Sequence, residues 1–221
     1  MTTFPGSPRL LRGGLVLLDL DSETVQRIIV MQYNPATLQR QLQVQGAGGD
    51  GGDRLEALRL TGPPVETYQL EAEIDAADQL EFPDVSSHRS TVEYGILPQL
   101  AALETLIYPS SSRIRLNNQL ATAGTLELMP METPLTLFVW SKSRVLPVRI
   151  TDFSVTEEAY DPNLNPLRAK VSLSLRVLSG NDLNYDHFGS SLYRSYHQQQ
   201  EQLARQAPSA TLDRLGIGGL L

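Results

Sequence analysis

The sequence predicts a mainly β protein with one flanking helix and a C-terminal extension, and three observations predict it. Between Arg168 and Leu178, Ala169, Val171, Leu173, Leu175 and Val177 fall on one face, with Lys170, Ser172, Ser174 and Arg176 on the other. That is the period of two of a half-buried strand in an antiparallel sheet with one wet face. The clear helical spacing lies at about 91–107, where Val92, Ile96, Leu100, Leu103 and Ile107 recur at the interval of an amphipathic helix. Beyond Gly180 the patterning changes, which divides the chain into a β domain over 1–180 and an extension over 181–221.

Three strands open the chain, Gly14 to Leu20, Arg27 to Tyr33 and Leu38 to Val44, and read as a meander. Asp19 to Glu23 supplies turn chemistry, and Asn34-Pro35 ends the second strand because proline offers no donor to a ladder. The third puts Leu38, Leu42 and Val44 on one side, interrupted by Arg40, and Gln39, Gln41, Gln43 and Gln45 on the other. Gly46 to Asp53 is a glycine-aspartate patch without the Lys-Ser/Thr of a phosphate loop or the tandem copies of a calcium repeat, so it reads as a surface loop. Thr67 to Asp75 then turns Tyr68, Leu70, Ala72 and Ile74 inward and an acidic row outward.

In the helix, Pro98 marks a kink or break, and Pro109 with the serines after it marks a stop. Pro134 to Trp140 is apolar on both faces, as expected of a central strand covered on both sides or of one at a subunit boundary. From Val145 to Val155 the inward residues are Leu146, Val148 and Ile150, then Phe153 and Val155 one register later, the signature of a β-bulge near Thr151-Asp152. The turn from Thr156 to Pro166 leads into the last strand. Ser190 to Gln206 can form a helix too weakly amphipathic for a core element and reads as an arm, and the tail carries Leu212, Leu215, Ile217, Leu220 and Leu221, an apolar set suited to docking on a partner subunit or on the chain's own core.

With 221 residues and 41% hydrophobic composition, one main domain is the economical reading. A formal charge of −7 argues against nucleic-acid binding, which needs clustered cations. No cysteine is present, so thiolate chemistry and cysteine metal sites are excluded. His88, His187 and His197 lack metal-ligand spacing, and no nucleophile elbow, dinucleotide fingerprint or Walker loop occurs. The paired carboxylates Glu157 and Glu158 sit on a hairpin shoulder, where solvation is their simplest role. The expectation is therefore no enzyme, no cofactor and no metal. No segment has the roughly 20 apolar residues of a membrane span, so no membrane insertion is expected and the chain reads as cytosolic when made.

Two segments carry a resemblance. Val30 to Leu38, with Tyr33-Asn34-Pro35 at its centre, and Val148 to Ala169, with Thr156-Glu157-Glu158-Ala159-Tyr160-Asp161-Pro162-Asn163-Leu164-Asn165-Pro166-Leu167-Arg168-Ala169, together resemble the tube-like baseplate proteins of contractile injection systems. Those systems are phage-tail-like particles such as the antifeeding prophage and the Photorhabdus virulence cassette. The match spans about residues 10 to 180. It implies a phage tube-like β-sandwich or split barrel, six copies in a ring, and a place between the spike hub protein and the inner tube protein, among other baseplate subunits. It also implies assembly in the bacterial cytoplasm. Many members carry a C-terminal LysM module, of which the last 41 residues show no version.

On that reading Tyr33, Asn34 and Pro35 form a structural corner. Glu157, Glu158, Tyr160, Asp161, Pro162, Asn165, Pro166 and Arg168 shape the late hairpin, and the apolar tail is an assembly element. The outer faces of Gln39 to Gln45 and Glu71 to Asp75 become candidates for a channel lining. The alternative is a monomeric carbohydrate- or protein-binding β-module with exposed aromatics on one face.

Overall fold

The computed structural model describes residues 10–19, 24–46, 59–122, 133–210 and 212–216. Its strands are β1 (Gly14–Leu18), β2 (Val25–Val30), β3 (Leu38–Gln43), β4 (Val65–Asp75), β5 (Leu135–Ser141), β6 (Arg144–Tyr160) and β7 (Pro166–Val177). The helices are α1 (Ala77–Leu80), α2 (Arg89–Tyr94), α3 (Leu97–Glu104), α4 (Ser111–Thr122) and α5 (Phe188–Arg205). The strands make one antiparallel sheet in the order β2-β1-β5-β6-β7-β4-β3. It is not closed into a barrel, and β2 and β3 are its two edges. The mainly β expectation holds, with helices flanking a single seven-stranded sheet.

The opening meander is corrected. β1 and β2 pair as a hairpin, but β3 crosses to the far edge and pairs with β4. Alternation fixes which face a side chain takes but not which strand lies beside it.

β6 joins two halves of the sheet. Its first residues pair with β5 as far as Val148, and from Val148 onward it pairs with β7. The buried Pro147 marks the crossing: it gives no donor to the ladder, while its carbonyl accepts from the Leu178 amide at 2.8 Å. Just beyond, the register slips between Ile150 and Asp152, the bulge expected from the pattern. The halves curl around a shared core in which Leu15, Phe138 and Leu146 of one meet Tyr68, Val171 and Leu175 of the other. The Tyr68 and Phe138 rings lie 5.5 Å apart, tilted at 46°, a favourable aromatic geometry. Across the open side, the Gln32 amide holds the Asp75 backbone, accepting from its N–H at 3.0 Å and donating to its carbonyl at 2.8 Å.

The single helix expected over 91–107 is two. α2 ends at Gly95 and α3 starts at Leu97, with Pro98 inside its first turn, where a missing N–H costs nothing. Ile96, Leu100 and Leu103 are buried, whereas Val92 and Ile107 are exposed. α4 follows where the serines suggested a stop; the Ile114 amide bonds the Ser110 carbonyl at 3.1 Å, and no α4 residue is buried.

The expected arm, α5, is anchored at its first half. Tyr193 and Tyr196 enter the main core, and Leu192 packs on a second cluster of Leu18, Leu135 and Leu137 on the opposite face of the sheet. Its remaining turns, from His197 on, are mostly exposed.

Candidate assembly surfaces

The late hairpin is built around Asp161. Its Oδ1 accepts from the backbone amides of Asn163 and Asn165, both at 2.8 Å, and its Oδ2 accepts from the Asn165 side-chain amide at 2.8 Å. An aspartate bonding the backbone two residues on makes an Asx turn, and the backbone closes it through Asp161 N–H to the Asn165 carbonyl at 3.0 Å. The Asn165 side chain, followed by the amides, holds the Asp161 carboxyl below its ordinary range, because hydrogen bonds to the charged form favour it. Ala159 (φ 53°) and Leu164 (φ 65°) take left-handed backbone. Leu164 is 78% exposed.

This turn is seated on the α2–α3 junction. The Ile96 amide donates to the Pro166 carbonyl at 2.9 Å, and the Asn165 side-chain amide to the Glu93 carbonyl at 3.2 Å. Gly95, at φ 59° and ψ −134°, adopts a conformation open to glycine alone, and a Cβ there would collide with the Pro166 carbonyl oxygen. Tyr160 hydroxyl lies 3.4 Å from Glu157. Glu158 pairs with Lys170 at 3.7 Å. Arg168 donates through Nε and Nη2 to Asp75 at 2.8 and 2.7 Å, a bond that raises its pKa. Pro162 is exposed at the turn.

Tyr33, Asn34 and Pro35 lie elsewhere, at the end of β2. The Asn34 amide accepts from Gly13 N–H at 2.9 Å and donates to the Leu11 carbonyl at 2.8 Å, extending β1 by side-chain mimicry of a strand. Tyr33 hydroxyl reaches Asp78 at 3.3 Å; burial first, then Asp78, push its pKa up. Pro35 is half-buried. The two motifs are therefore separate corners, with β4 and α1 between them, linked through Asp75 to both Gln32 and Arg168.

The wet face spans four strands. Gln39 and Gln41 lie beside Gln69 and Thr67, Gln69, Glu71 and Glu73 beside Ser174, Ser172 and Lys170, and these beside Asp152, Ser154 and Thr156. Every side chain in that array is polar. Its borders are β3, a sheet edge, and residues 152–160 of β6, which pair with no strand on that side among the described residues. Opposite, Glu66 is 4% exposed and accepts from Arg40 of β3 at 2.5 Å and Tyr196 hydroxyl at 3.4 Å, tying edge strand to α5. Burial, then the Tyr196 bond, push the Tyr68 hydroxyl pKa up.

Of the tail, Leu212 and Leu215 lie in a 3₁₀ turn with Leu215 71% exposed; Ile217, Leu220 and Leu221 fall outside the described residues, as does most of the Gly46 to Asp53 patch. Sequence reading did not single out Gly95, Gln32, Glu66 or Leu164. A lone glycine interrupting a helical pattern was the one available signal for Gly95. Among the described residues no group of acidic or histidine side chains is arranged to hold a metal, and no helix is long and apolar enough to cross a membrane.

No protein-family model and no curated protein matches the chain. Among solved structures it is similar to a chain from the virion of a native gene transfer agent (GTA) particle, at 11% identity and a TM-score of 0.25, over 75% of this chain and 90% of that one. A chain from the tail of an empty GTA particle, with C6 symmetry, gives 13% identity and a TM-score of 0.27 over the same shares. Likeness of this degree carries no role across to this chain.

Proposed function

We propose that this chain is a non-enzymatic structural subunit of a phage-tail-like contractile injection particle, forming a hexameric ring between the spike hub and the inner tube. The observation that carries the reading is the four-stranded polar face bounded by two unpaired strand borders, β3 and residues 152–160 of β6. An open, flat edge is a template for pairing with another chain. Pairing β3 of one copy with β6 of the next is a heterologous contact, which closes into a ring when the rotation allows. Six copies of four strands, spaced ~4.8 Å apart, give a barrel of backbone radius about 18 Å. Its lumen would be lined by Gln, Glu, Ser, Thr and Lys, a hydrated surface on which passing cargo finds no apolar hold.

The exposed Leu164 in the turn around Asp161 supports the same reading as a point of contact with a neighbour, and the apolar tail would serve as a second. The experiment is purification of the tagged chain from its native host with negative-stain microscopy and mass spectrometry. Rings of about that bore, co-purifying with sheath and spike subunits, are the expected result. A monomer that elutes alone, or with a sugar or peptide ligand, would replace this reading with that of a binding module.

A further inference from the structure

We infer that β2 is an acceptor strand: an extended segment of a separate polypeptide, apolar at alternate positions and carrying a carboxylate, adds to its free edge and sends a side chain into the cleft beside it. The inference goes beyond the ring reading and does not need it, since β2 is the edge of the sheet opposite β3. Met31 N–H bonds the Gly13 carbonyl at 2.9 Å, and the register continues with Ile29 opposite Leu15. Alternation in an antiparallel ladder therefore turns the N–H and C=O of Ile28 and Val30 away from β1, to a side where no described strand meets them. Their side chains are 62% and 55% exposed, and β2 contains neither the lysine nor the proline that guards an open edge.

The edge opens on a cleft of about 380 Å³, a size that holds a ligand group. Residues 27–32 line one wall without a gap, the mark of a cavity running along a strand's edge instead of beneath one face. Its floor is apolar, with Leu15, Ile74, Leu103 and Leu173. Arg27, bonded to the Thr105 hydroxyl at 2.8 Å, and Gln32, bonded to the Asp75 backbone, brace the two ends. Two lining groups lack a partner among the described residues. Gln99 Oε1 is buried and accepts no hydrogen bond, a cost that a donor on the incoming segment removes. Arg12 is exposed with no side-chain partner, and a carboxylate suits it. The lining acids are placed elsewhere: Asp78 takes the Tyr33 hydroxyl, and Glu73 stands opposite Lys170. Edge, floor, acceptor and cation each specify one part of the same occupant.

The test selects a phage-displayed library of random heptapeptides on the immobilised full-length chain. Enriched peptides are expected to carry apolar residues at alternate positions and an acidic one, and as synthetic peptides to slow hydrogen exchange at the Ile28 and Val30 amides. Val30→Pro removes a donor that β1 does not use, a place where an edge strand tolerates proline, and should weaken binding by about tenfold or more. Gln99→Leu removes the orphan acceptor and should weaken binding while raising the Tm of the free chain. No enrichment, peptides with helical spacing, or binding that survives Val30→Pro overturns the inference. Should Val30→Pro alter the far-ultraviolet circular dichroism, binding undiminished by Gln99→Leu overturns it instead. Self-association of the chain that Val30→Pro abolishes would make the occupant a second copy, which also overturns it.

Discussion

Replacing Gly95 by alanine should unseat the late hairpin from the helices. Gly95 sits at φ 59° and ψ −134°, and holding an L-residue there costs about 1–3 kcal/mol. The new Cβ meets the Pro166 carbonyl oxygen, which is backbone and cannot rotate away. Separation of the two segments would break the bond from Ile96 N–H to that carbonyl, 2.9 Å in the native chain, a net loss of about 0.5–1.5 kcal/mol. The sum is roughly 2–4 kcal/mol, and at the size of this chain that lowers Tm by about 5–15 °C. Urea denaturation of the two proteins, with matched slopes, measures the difference directly. A loss below about 1 kcal/mol would mean that the hairpin does not rest on the α2–α3 junction as described.

Further substitutions test other contacts. Because Asn165 and the turn amides depress the Asp161 pKa, the turn's stabilisation is present above the ordinary aspartate range and lost as pH falls through the depressed value. Hydrogen exchange at Asn163 and Asn165 should accelerate there, and Asp161→Asn should remove that pH dependence. Leu164→Gly relieves about 1–2 kcal/mol of left-handed strain against about 0.5–1 kcal/mol of added chain entropy. A thermal melt should show an unchanged or slightly higher Tm; a clear drop would mean that the side chain supports the monomer. Tyr196→Phe should cost about 0.5–1.5 kcal/mol, whereas Glu66→Ala, which removes the acceptor shared by Arg40 and Tyr196, should cost more by the same denaturation assay. Deleting 212–221 should leave the fold intact and abolish particle assembly, and intact particles from the deletion strain would contradict a role for the tail.

Much of the sheet was legible because alternation reports burial directly: β7 and β4 turn inward the residues their pattern names, and the bulge after Ile150 follows from the slip to Phe153. The placement of β3 was not legible, because neighbour choice depends on contacts with β4 far along the chain. α4 escaped because Ile114, Leu116 and Leu120 make no single helical stripe; α5 was expected as an arm, but its anchoring was not legible, because Tyr196 finds its partners about 130 residues away. In the candidate site, the Asp161 and Asn165 turn is local and its chemistry is written in four-residue spacing. Its seat on Gly95 joins residues some 70 positions apart, which no local pattern encodes.

The shared strand has a mechanical consequence. Because β6 crosses from one half of the sheet to the other without a break, a pull along it at the hairpin tip reaches the far half through covalent backbone. Such a pull draws β6 and β7 together and loads in shear the ladders they make with β5 and β4, so that those bonds resist together instead of opening one after another. A force peeling the outer strand β3 away from β4 meets the bonds of that ladder singly. The domain is stiff along β6 and weakest at its free edge.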